Sequence, residues 1–520
     1  MTLLKDTATV GGMTMISRVL GFVRDILLAA IVGAGPVADA FVVAFRFPNL
    51  FRRLFAEGAF NAAFVPLFAK RLEEEGVSSA RRFAEESLAV LLAALVVFTL
   101  VVEIFMPAVV MVLAPGFVED PQKFELTVLF TRIALPYLLF MSLTALYSGL
   151  LNSLGKFAVA AAAPALLNVV LITALLVVAP RVATAGHALV YGVVFAGVLQ
   201  FLTLVWAASK VGYSLHLRVP RLTPAVHRLV RLGVPGALSG GITQINIVIG
   251  TMIASMESGA ASYLYYAERV YQLPLGIIGI AMGVVLLPSI ARQLRAGHEA
   301  QAHASQNRAL ELSMLLTLPA AAALLAIPMI VVTVLFEHGA FDHESARSTA
   351  KALGAFAAGL PAFVLIKVFS PGFFAREDTK TPMIFAGISV AVNIVLSLIL
   401  FTQIGFLGIP IATTLASMVN AVLLGVRLKR LRYFMADDRL KQRLPRILIA
   451  SIFMGVGLHW AAGAILPLVP SQPLAQMLVL GGLVLGGLAV YGGLVLAIGA
   501  ARWEEVRGLF SKGSLGKSGK

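Results

Sequence analysis

Six arginines, Arg18, Arg24, Arg46, Arg52, Arg53 and Arg269, lie within or beside long apolar segments of a chain that is 59% hydrophobic. Carboxylates accompany them: Asp25 beside Arg24, Asp39 ahead of Arg46, Glu57 just after the Arg52–Arg53 pair, and Glu268 beside Arg269. A charged side chain at mid-bilayer costs roughly 2.5–3.5 kcal/mol. Six such residues cost on the order of 15 kcal/mol, comparable with the whole stability of a typical domain. Side chains that costly face a hydrated protein interior and hold something there. Guanidinium forks bind phosphate oxygens bidentately and give up little solvation in doing so. Several convergent arginines therefore suit an anion such as a diphosphate and repel a cationic drug.

The plainer alternative is structural pairing. Arg18 and Asp25 share a face of one helix, Arg24 points about 120° away from Arg18, and Asp39 shares a face with Arg46. Glu57 is within reach of Arg52 or Arg53, and Pro48 is expected to break the helix ahead of those two. Glu268 and Arg269 stand among Tyr263, Tyr265, Tyr266 and Tyr271, which reads as a polar-aromatic cavity lining or as an interfacial aromatic belt. Gln272 adds a hydrogen-bonding group. No nucleophile motif, nucleotide loop or metal spacing competes; His298, His303, His338 and His343 read as solvated loop residues. Lys367 and Glu103 are evenly balanced between function and snorkelling, and Asp378 between a cation ligand and a salt bridge with Lys380. No catalytic residue and no metal ligand is expected.

The elements that must position these groups are membrane helices. Only 13% of the 520 residues are charged, about half the usual share of a soluble domain, and the mean hydropathy is +0.91. A net charge of +15 would suggest nucleic acid in a soluble protein; here the basic residues sit in short loops, the signature of membrane orientation. The absence of cysteine excludes disulfides and thiolate chemistry. The first residues lack a cleavable signal's uninterrupted apolar core, so the first helix is expected to be retained.

Spans of about 20 apolar residues are expected near 8–33, 37–69, 87–113, 127–152, 157–180, 187–208, 232–255, 262–291, 309–336, 347–375, 382–402, 406–427, 445–467 and 474–500. With both termini inside, the outer loops hold only Lys123, Arg181, Arg347 and Lys351, whereas the loop after the twelfth span alone holds eight Lys and Arg. The stretches 200–230 and 428–446 read as cytoplasmic connectors, amphipathic and lying on the anionic leaflet. Residues 135–172 resemble 360–397, pairing Leu135 with Leu360, Pro136 with Pro361 and Asn168 with Asn393; residues 63–72 resemble 285–294, pairing Pro66 with Pro288.

The expected architecture is therefore an all-α polytopic membrane protein of fourteen transmembrane helices. Two six-helix lobes surround a central cavity, and two C-terminal helices are added. The divisions are 1–210 for the first lobe, 211–231 for a connector, 232–430 for the second lobe, 431–444 for a second connector, 445–500 for the added helices and 501–520 for a flexible basic tail.

The stretches SRVLGFVRD (17–25), DAFVVAFRFPNLFRRLFAEGAFNAAFVP (39–66) and AERVYQLPLGIIGIAMG (267–283) resemble the MviN/MurJ family of lipid II flippases, within the multidrug/oligosaccharidyl-lipid/polysaccharide exporter superfamily. The resemblance spans all fourteen helices. It implies alternating-access transport of the undecaprenyl-diphosphate-linked peptidoglycan precursor across the bacterial cytoplasmic membrane. It further implies that Arg24, Arg52 and Arg269 line the cavity and hold the diphosphate. Arg18, Arg53, Asp39 and Glu57 are then functionally sensitive, with Asp25 and Glu268 as supporting or gating groups. The two C-terminal helices form a groove for the polyprenyl tail. Lipid II and membrane lipids are the expected partners; no nucleic acid and no cofactor is expected.

Some relatives bind sodium through a carboxylate on the seventh helix. This one carries Gln244 and Asn246 instead, which argues against sodium and leaves Asp378, Asn393 and membrane-potential driving open. The alternatives are a flippase for another polyprenyl-linked oligosaccharide, which the second-helix motif disfavours, and a cation-coupled drug exporter, which would want carboxylates where this chain has arginines. An enzyme would need an acidic or histidine cluster in an outer loop, and 114–126 and 337–347 are too short to build one.

Overall fold

The computed structural model describes residues 2–54, 60–281, 286–468 and 472–501; within these, the side chains of 2–8, 51–54, 234–243, 277–281 and 466 are not described. The tail expected over 501–520 thus lies almost wholly outside the described residues. No strand occurs among the described residues. The chain forms two compact units, one comprising residues up to Tyr265 together with Phe336–Ser345, the other Tyr266–Leu335 and the chain from Ala346 onward.

The first unit contains α1 (Thr2–Val32), α2 (Pro36–Leu54), α3 (Phe60–Glu74), α4 (Val77–Ile104), α5 (Met106–Leu113), α6 (Pro121–Ala134), α7 (Pro136–Ser153), α8 (Phe157–Thr173), α9 (Ala185–Lys210), α10 (Pro224–Ala254) and the start of α11 (Ala260–Ala281). The second contains the rest of α11, then α12 (Leu287–Arg295), α13 (Glu299–Ala326), α14 (Pro328–Phe336), α15 (His343–Phe374), α16 (Lys380–Ile404), α17 (Gly408–Arg430), α18 (Asp438–Ile465) and α19 (Pro473–Ala497).

Nine stretches of the described residues are long and apolar enough to cross a membrane, and one of them, Lys380–Arg430, carries both α16 and α17. They account for ten of the fourteen expected spans. The other four are the first, second, seventh and eighth, represented by α1, α2 with α3, α10, and α11 with α12. At 31 residues each, α1 and α10 reach about 46 Å, ample for a bilayer core. The first of these four spans carries Arg18, Arg24 and Asp25 within its apolar stretch, and parts of the other three lie among the residues whose side chains are not described. The chain is an all-α, multi-pass membrane protein.

The helices of the second half recur in the order and length of the first. Val77–Ile104 and Glu299–Ala326 lie 222 residues apart at both ends, and Ala185–Lys210 is matched by Gly408–Arg430. The cores use matching positions. Phe68 and Leu88 are buried in the first unit and Ile290 and Leu310, each 222 residues further on, in the second, while Leu135 and Leu360, 225 apart, are both fully buried. In the first unit aromatic rings stack from Phe60 through Phe64 to Phe68 at 5.4 and 5.6 Å, with Phe83 5.5 Å from Phe64.

Several expected details are corrected. Pro48 does not break its helix, for α2 continues to Leu54. A proline removes one backbone bond, and here the turn before it is held by Phe41 stacked on Phe45 at 5.7 Å, with Phe45 against Tyr137. The helices α10 and α18 begin several residues before the apolar windows that announced them. Thr223 accepts from Val226 N–H, and Asp437 from Leu440 N–H, so polar first turns extend both helices. Asp378 likewise accepts from Thr381 N–H at the start of α16.

The connectors are straps tied to helices rather than amphipathic helices. Residues 214–223 contain no helix. They are held by Glu85 of α4, which accepts from His216 N–H and from Arg218 Nε at 2.5 Å, and by Glu86, which accepts from Thr223. Residues 431–437 are held by α13. Asn307 donates to Met435 O and accepts from Asp437 N–H, while Arg308 bonds both Glu311 and Asp437. Glu311 also accepts from Arg439 at 3.0 Å and from the buried Arg443 at 2.5 Å, fastening α18 to α13.

Removing Glu311 leaves Arg443 buried without its carboxylate, so Glu311→Ala should cost about 3–5 kcal/mol in unfolding of the detergent-solubilised protein. Asp437 adds a pH signature. Burial pushes its carboxyl up, but the Leu440 N–H, the Arg308 bond and charge and the Arg439 charge outweigh that and hold it below the ordinary value. Its contribution is therefore present above the ordinary carboxylate range and lost as pH falls through the lowered value. Asp437→Asn should lower the melting temperature at neutral pH, with the deficit closing below about pH 4; a deficit unchanged by pH would assign the residue to packing alone.

Candidate functional site

The charged constellation on α1 is built by a close approach to α8. Ser17, Gly21 and Arg24 follow one another up one side of α1, and Asn168 of α8 lies against all three. Asn168 Nδ2 donates to Ser17 O at 2.8 Å, its Oδ1 accepts from Arg24 Nη1 at 2.8 Å, and a Cβ on Gly21 would meet its amide at 3.4 Å. Arg24 turns its remaining edge onto its neighbour, with Nε 3.0 Å and Nη2 2.7 Å from Asp25 Oδ1. That same oxygen accepts from Tyr265 OH at 2.9 Å. Arg24 and Asp25 are 9% and 2% exposed, so this is a buried, hydrogen-bonded pair rather than a surface one.

Asp25 is bonded by Arg24 of its own helix, where the structural reading expected an arginine of a neighbouring helix; Arg18 shares its face. Residues seven apart stand about 10 Å apart along the axis, whereas an arginine is long enough to fold back onto an adjacent carboxylate. Arg18 itself is exposed.

A second constellation centres on Asp39, which is fully buried. Its Oδ2 accepts from Lys123 Nζ at 2.6 Å and from Gly259 N–H at 2.9 Å; its Oδ1 accepts from Ser262 N–H at 3.0 Å and Ser262 Oγ at 2.6 Å. The carboxylate caps the first turn of α11, where amide N–H groups lack intrahelical partners and the helix dipole favours negative charge. The ammonium of Lys123 also sits 4.1 Å from the Phe117 ring centre. The expected pairing of Asp39 with Arg46 is therefore corrected: Arg46 is half-buried two turns further along α2 and donates to Thr251 Oγ1 at 2.7 Å.

Glu268 and Arg269 are half-buried on α11 within the second unit. The tyrosines around them are held in different ways. Tyr266 is fully buried, Tyr265 bonds Asp25, and Tyr271 stacks against Phe356 at 4.7 Å as part of the packing of its own unit. The side chains of Arg52 and Arg53, on the last turn of α2, and the whole of Glu57 lie outside the described residues. Among the described residues no group of three or more His, Asp or Glu could hold a metal ion. On α18 and α19, Trp460, Leu474, Leu478 and Leu485 are exposed apolar side chains, while Tyr491 OH donates to Leu315 O and ties α19 to α13.

Lys123 is the residue that sequence reasoning missed, having been counted as a loop cation. One signal was available. Asp120 caps α6 and Pro121 opens it, which puts Lys123 in the first turn, where the helix dipole disfavours a cation. A lysine there needs another partner.

The comparisons with known proteins agree with one another. A family model described as Lipid II flippase MurJ matches residues 28–475. A probable lipid II flippase MurJ of Rhizobium meliloti (strain 1021) is 48% identical over all of this chain and 98% of its own length. The lipid II flippase MurJ of Burkholderia cenocepacia is 35% identical over 89% of this chain and 90% of its own. Among solved structures, a lipid II flippase MurJ in an inward closed conformation superposes with a TM-score of 0.79 at 23% identity, covering 96% of this chain and 99% of that one. An inward-facing multidrug resistance MATE family transporter of the MOP superfamily superposes with a TM-score of 0.67 at 16% identity, covering 82% and 98%.

The Asp39–Lys123 pair should behave as a coupled unit. Asp39→Ala strands a buried ammonium and should cost about 3–5 kcal/mol. The double replacement Asp39→Asn with Lys123→Met should cost less than the two single changes added together. Simple additivity in thermal or denaturant unfolding of the purified protein would contradict this assignment.

Proposed function

The chain belongs to the lipid II flippase MurJ family, and we propose that it moves the undecaprenyl-diphosphate-linked peptidoglycan precursor from the inner to the outer leaflet of the bacterial cytoplasmic membrane by alternating access. Both termini are then cytoplasmic, as the basic loops favour. The chain acts as a transporter without a chemical step. The observation that carries the reading is the pre-set guanidinium of Arg24, buried on a membrane helix and aimed by Asn168 and Asp25. Asn168 holds one nitrogen of this fork, so a phosphate that displaces Asp25 meets a guanidinium already positioned, and less conformational entropy is lost on binding.

In this reading Arg24, Arg52 and Arg269 contact the diphosphate, and Arg18 and Arg53 add to the positive potential. Asp25 neutralises Arg24 in the empty state. An incoming diphosphate competes with it for the guanidinium and so acts on the Asp25–Tyr265 bond, which reaches from α1 to the start of α11. Asp39 works similarly as a gating carboxylate, because its four bonds gather α2, α6 and the start of α11 at one point. Glu57 and Glu268 are assigned as further state-dependent partners. The exposed apolar faces of α18 and α19 suit a polyprenyl tail. No cofactor is invoked; coupling to an ion or to the membrane potential supplies the direction.

The test is replacement of Arg24, Arg52 and Arg269, one at a time, in a bacterium depleted of its own lipid II flippase. Each Ala variant should insert normally but fail to restore lipid II at the outer leaflet. A lost charge-assisted phosphate contact of about 1.5–3 kcal/mol weakens binding roughly 10- to 100-fold. Arg24→Lys should rescue poorly, because an ammonium cannot reproduce a bidentate fork. Normal growth and normal outer-leaflet lipid II with all three Ala variants would rule the assignment out.

A further inference from the structure

Residues 214–232, the strap after α9 and the first turns of α10, are seated on the first unit by few side chains. Leu229 lies in its apolar core, Leu215 packs against that core, and Glu85 and Glu86 of α4 hold Arg218 and Thr223. The side chains between these anchors are bare. Leu217, Val219 and Leu222 are 67%, 70% and 70% exposed, on a segment without helix. Apolar side chains clustered in the open and rimmed by polar ones mark a binding surface or a membrane contact.

The charge around them has one sign. Residues 214–232 carry four arginines and neither Asp nor Glu. Arg218 is committed to Glu85, whereas Arg221, Arg228 and Arg231 are exposed. The strap in the corresponding place of the second half differs on both counts. Within 431–437 Met435 is the only exposed large apolar side chain, and the segment runs into Asp437 and Asp438.

The surroundings put the bare patch at a membrane boundary. The span α9 ends at Lys210, whose Nζ lies 4.9 Å from the ring centre of the exposed Trp206. A tryptophan and a lysine at the end of a span form an interfacial anchor. On the other side, the 31 residues of α10 exceed a hydrocarbon core of about 30 Å by roughly 16 Å. Its first turns, with Arg228 and Arg231, therefore stand at the level of the headgroups. A strap joining two spans at that level has acyl chains within reach of its apolar side chains and phosphates within reach of its arginines.

We propose that residues 214–232 are a docking surface for anionic phospholipid. Leu217, Val219 and Leu222 enter the edge of the acyl layer, while Arg221, Arg228 and Arg231 hold headgroup phosphates. Apolar burial and attraction to anionic lipid act together in such segments. The occupant is lipid rather than protein because both chemistries the patch asks for, hydrocarbon and negative charge, meet at the layer where it lies. The surface needs a membrane but no part of the transport reading, so its failure leaves that reading untouched.

The chain has no cysteine, so the purified full-length protein with Val219→Cys takes a single nitroxide. Electron paramagnetic resonance in lipid nanodiscs then compares access of oxygen with access of a water-soluble nickel chelate. With phosphatidylglycerol in the disc the label should favour oxygen. In pure phosphatidylcholine it should favour nickel, a severalfold reversal of the ratio. Adding Arg221→Gln, Arg228→Gln and Arg231→Gln should remove the difference between the two lipids, and the same label at Met435→Cys should show none. Oxygen access that is equal in both lipids makes the contact a general hydrophobic one, and nickel access in both leaves the patch to an acidic protein partner. Either result overturns the proposal. A lipid difference that persists in the triple glutamine variant, or one of equal size at Met435, overturns it as well.

Discussion

A charge inside a membrane protein persists only where other protein groups replace the water it has lost, and most of the specific contacts in this structure follow from that requirement. Arg24 is kept on an apolar helix because Asn168 and Asp25 together receive three of its N–H bonds. Asp39 is kept at zero exposure because both of its oxygens are filled by an ammonium, two amides and a hydroxyl. Each arrangement draws helices together that share no apolar contact rule: α1 with α8, and α2 with α6 and the start of α11. The apolar stripes decide that the helices pack. These polar sets decide in which register.

The fold was legible in the sequence because hydropathy, loop charge and internal similarity each report on something local. Ten spans announce themselves by composition alone, and the first span could be counted only by accepting a helix with charges inside it. The partners of the charges were not legible, for a geometric reason. Helical spacing tells which residues share a face, and so it offered Arg46 for Asp39, while Asp25 was expected to pair with an arginine of a neighbouring helix. The actual partners of Asp39 lie 84, 220 and 223 positions away, and the partner of Asp25 is its immediate neighbour. Spacing along one helix carries no information about the first case, and a long flexible side chain defeats it in the second.

The fastening of the connectors was likewise not legible. Basic, sparsely apolar stretches beside a membrane read as surface-lying segments, and the charge pattern supported that. Their carboxylate partners, Glu85 and Glu311, sit inside α4 and α13, where a scan for membrane spans treats an acidic residue only as a penalty. Both helices occupy the same place in their halves of the chain, and both use an acidic or amide side chain near the N-terminal end to hold a strap. Glu85 accepts from Arg218 on one strap, and Asn307 with Arg308 grips the other. The chemistry of the fastening is repeated even though the residues are not.

Where the two halves match, they match in buried apolar positions: Phe68 with Ile290, Leu88 with Leu310, Leu135 with Leu360. Where they differ, they differ in charge. The first half places Arg18, Arg24, Arg46, Arg52 and Arg53 on its first two helices; the second places Arg269 alone on the corresponding pair. A duplicated frame with an unduplicated charge set can bind a ligand that is itself lopsided, strongly anionic at one end and apolar along the rest. A symmetric set of arginines would hold such a ligand equally from both sides and give it no preferred direction of hand-over. On the proposed reading, charge concentrated on one half and partly neutralised there by Asp25 gives the anion its tightest contacts with that half, so the asymmetry of the charge set rather than the duplicated frame would decide which half carries the ligand.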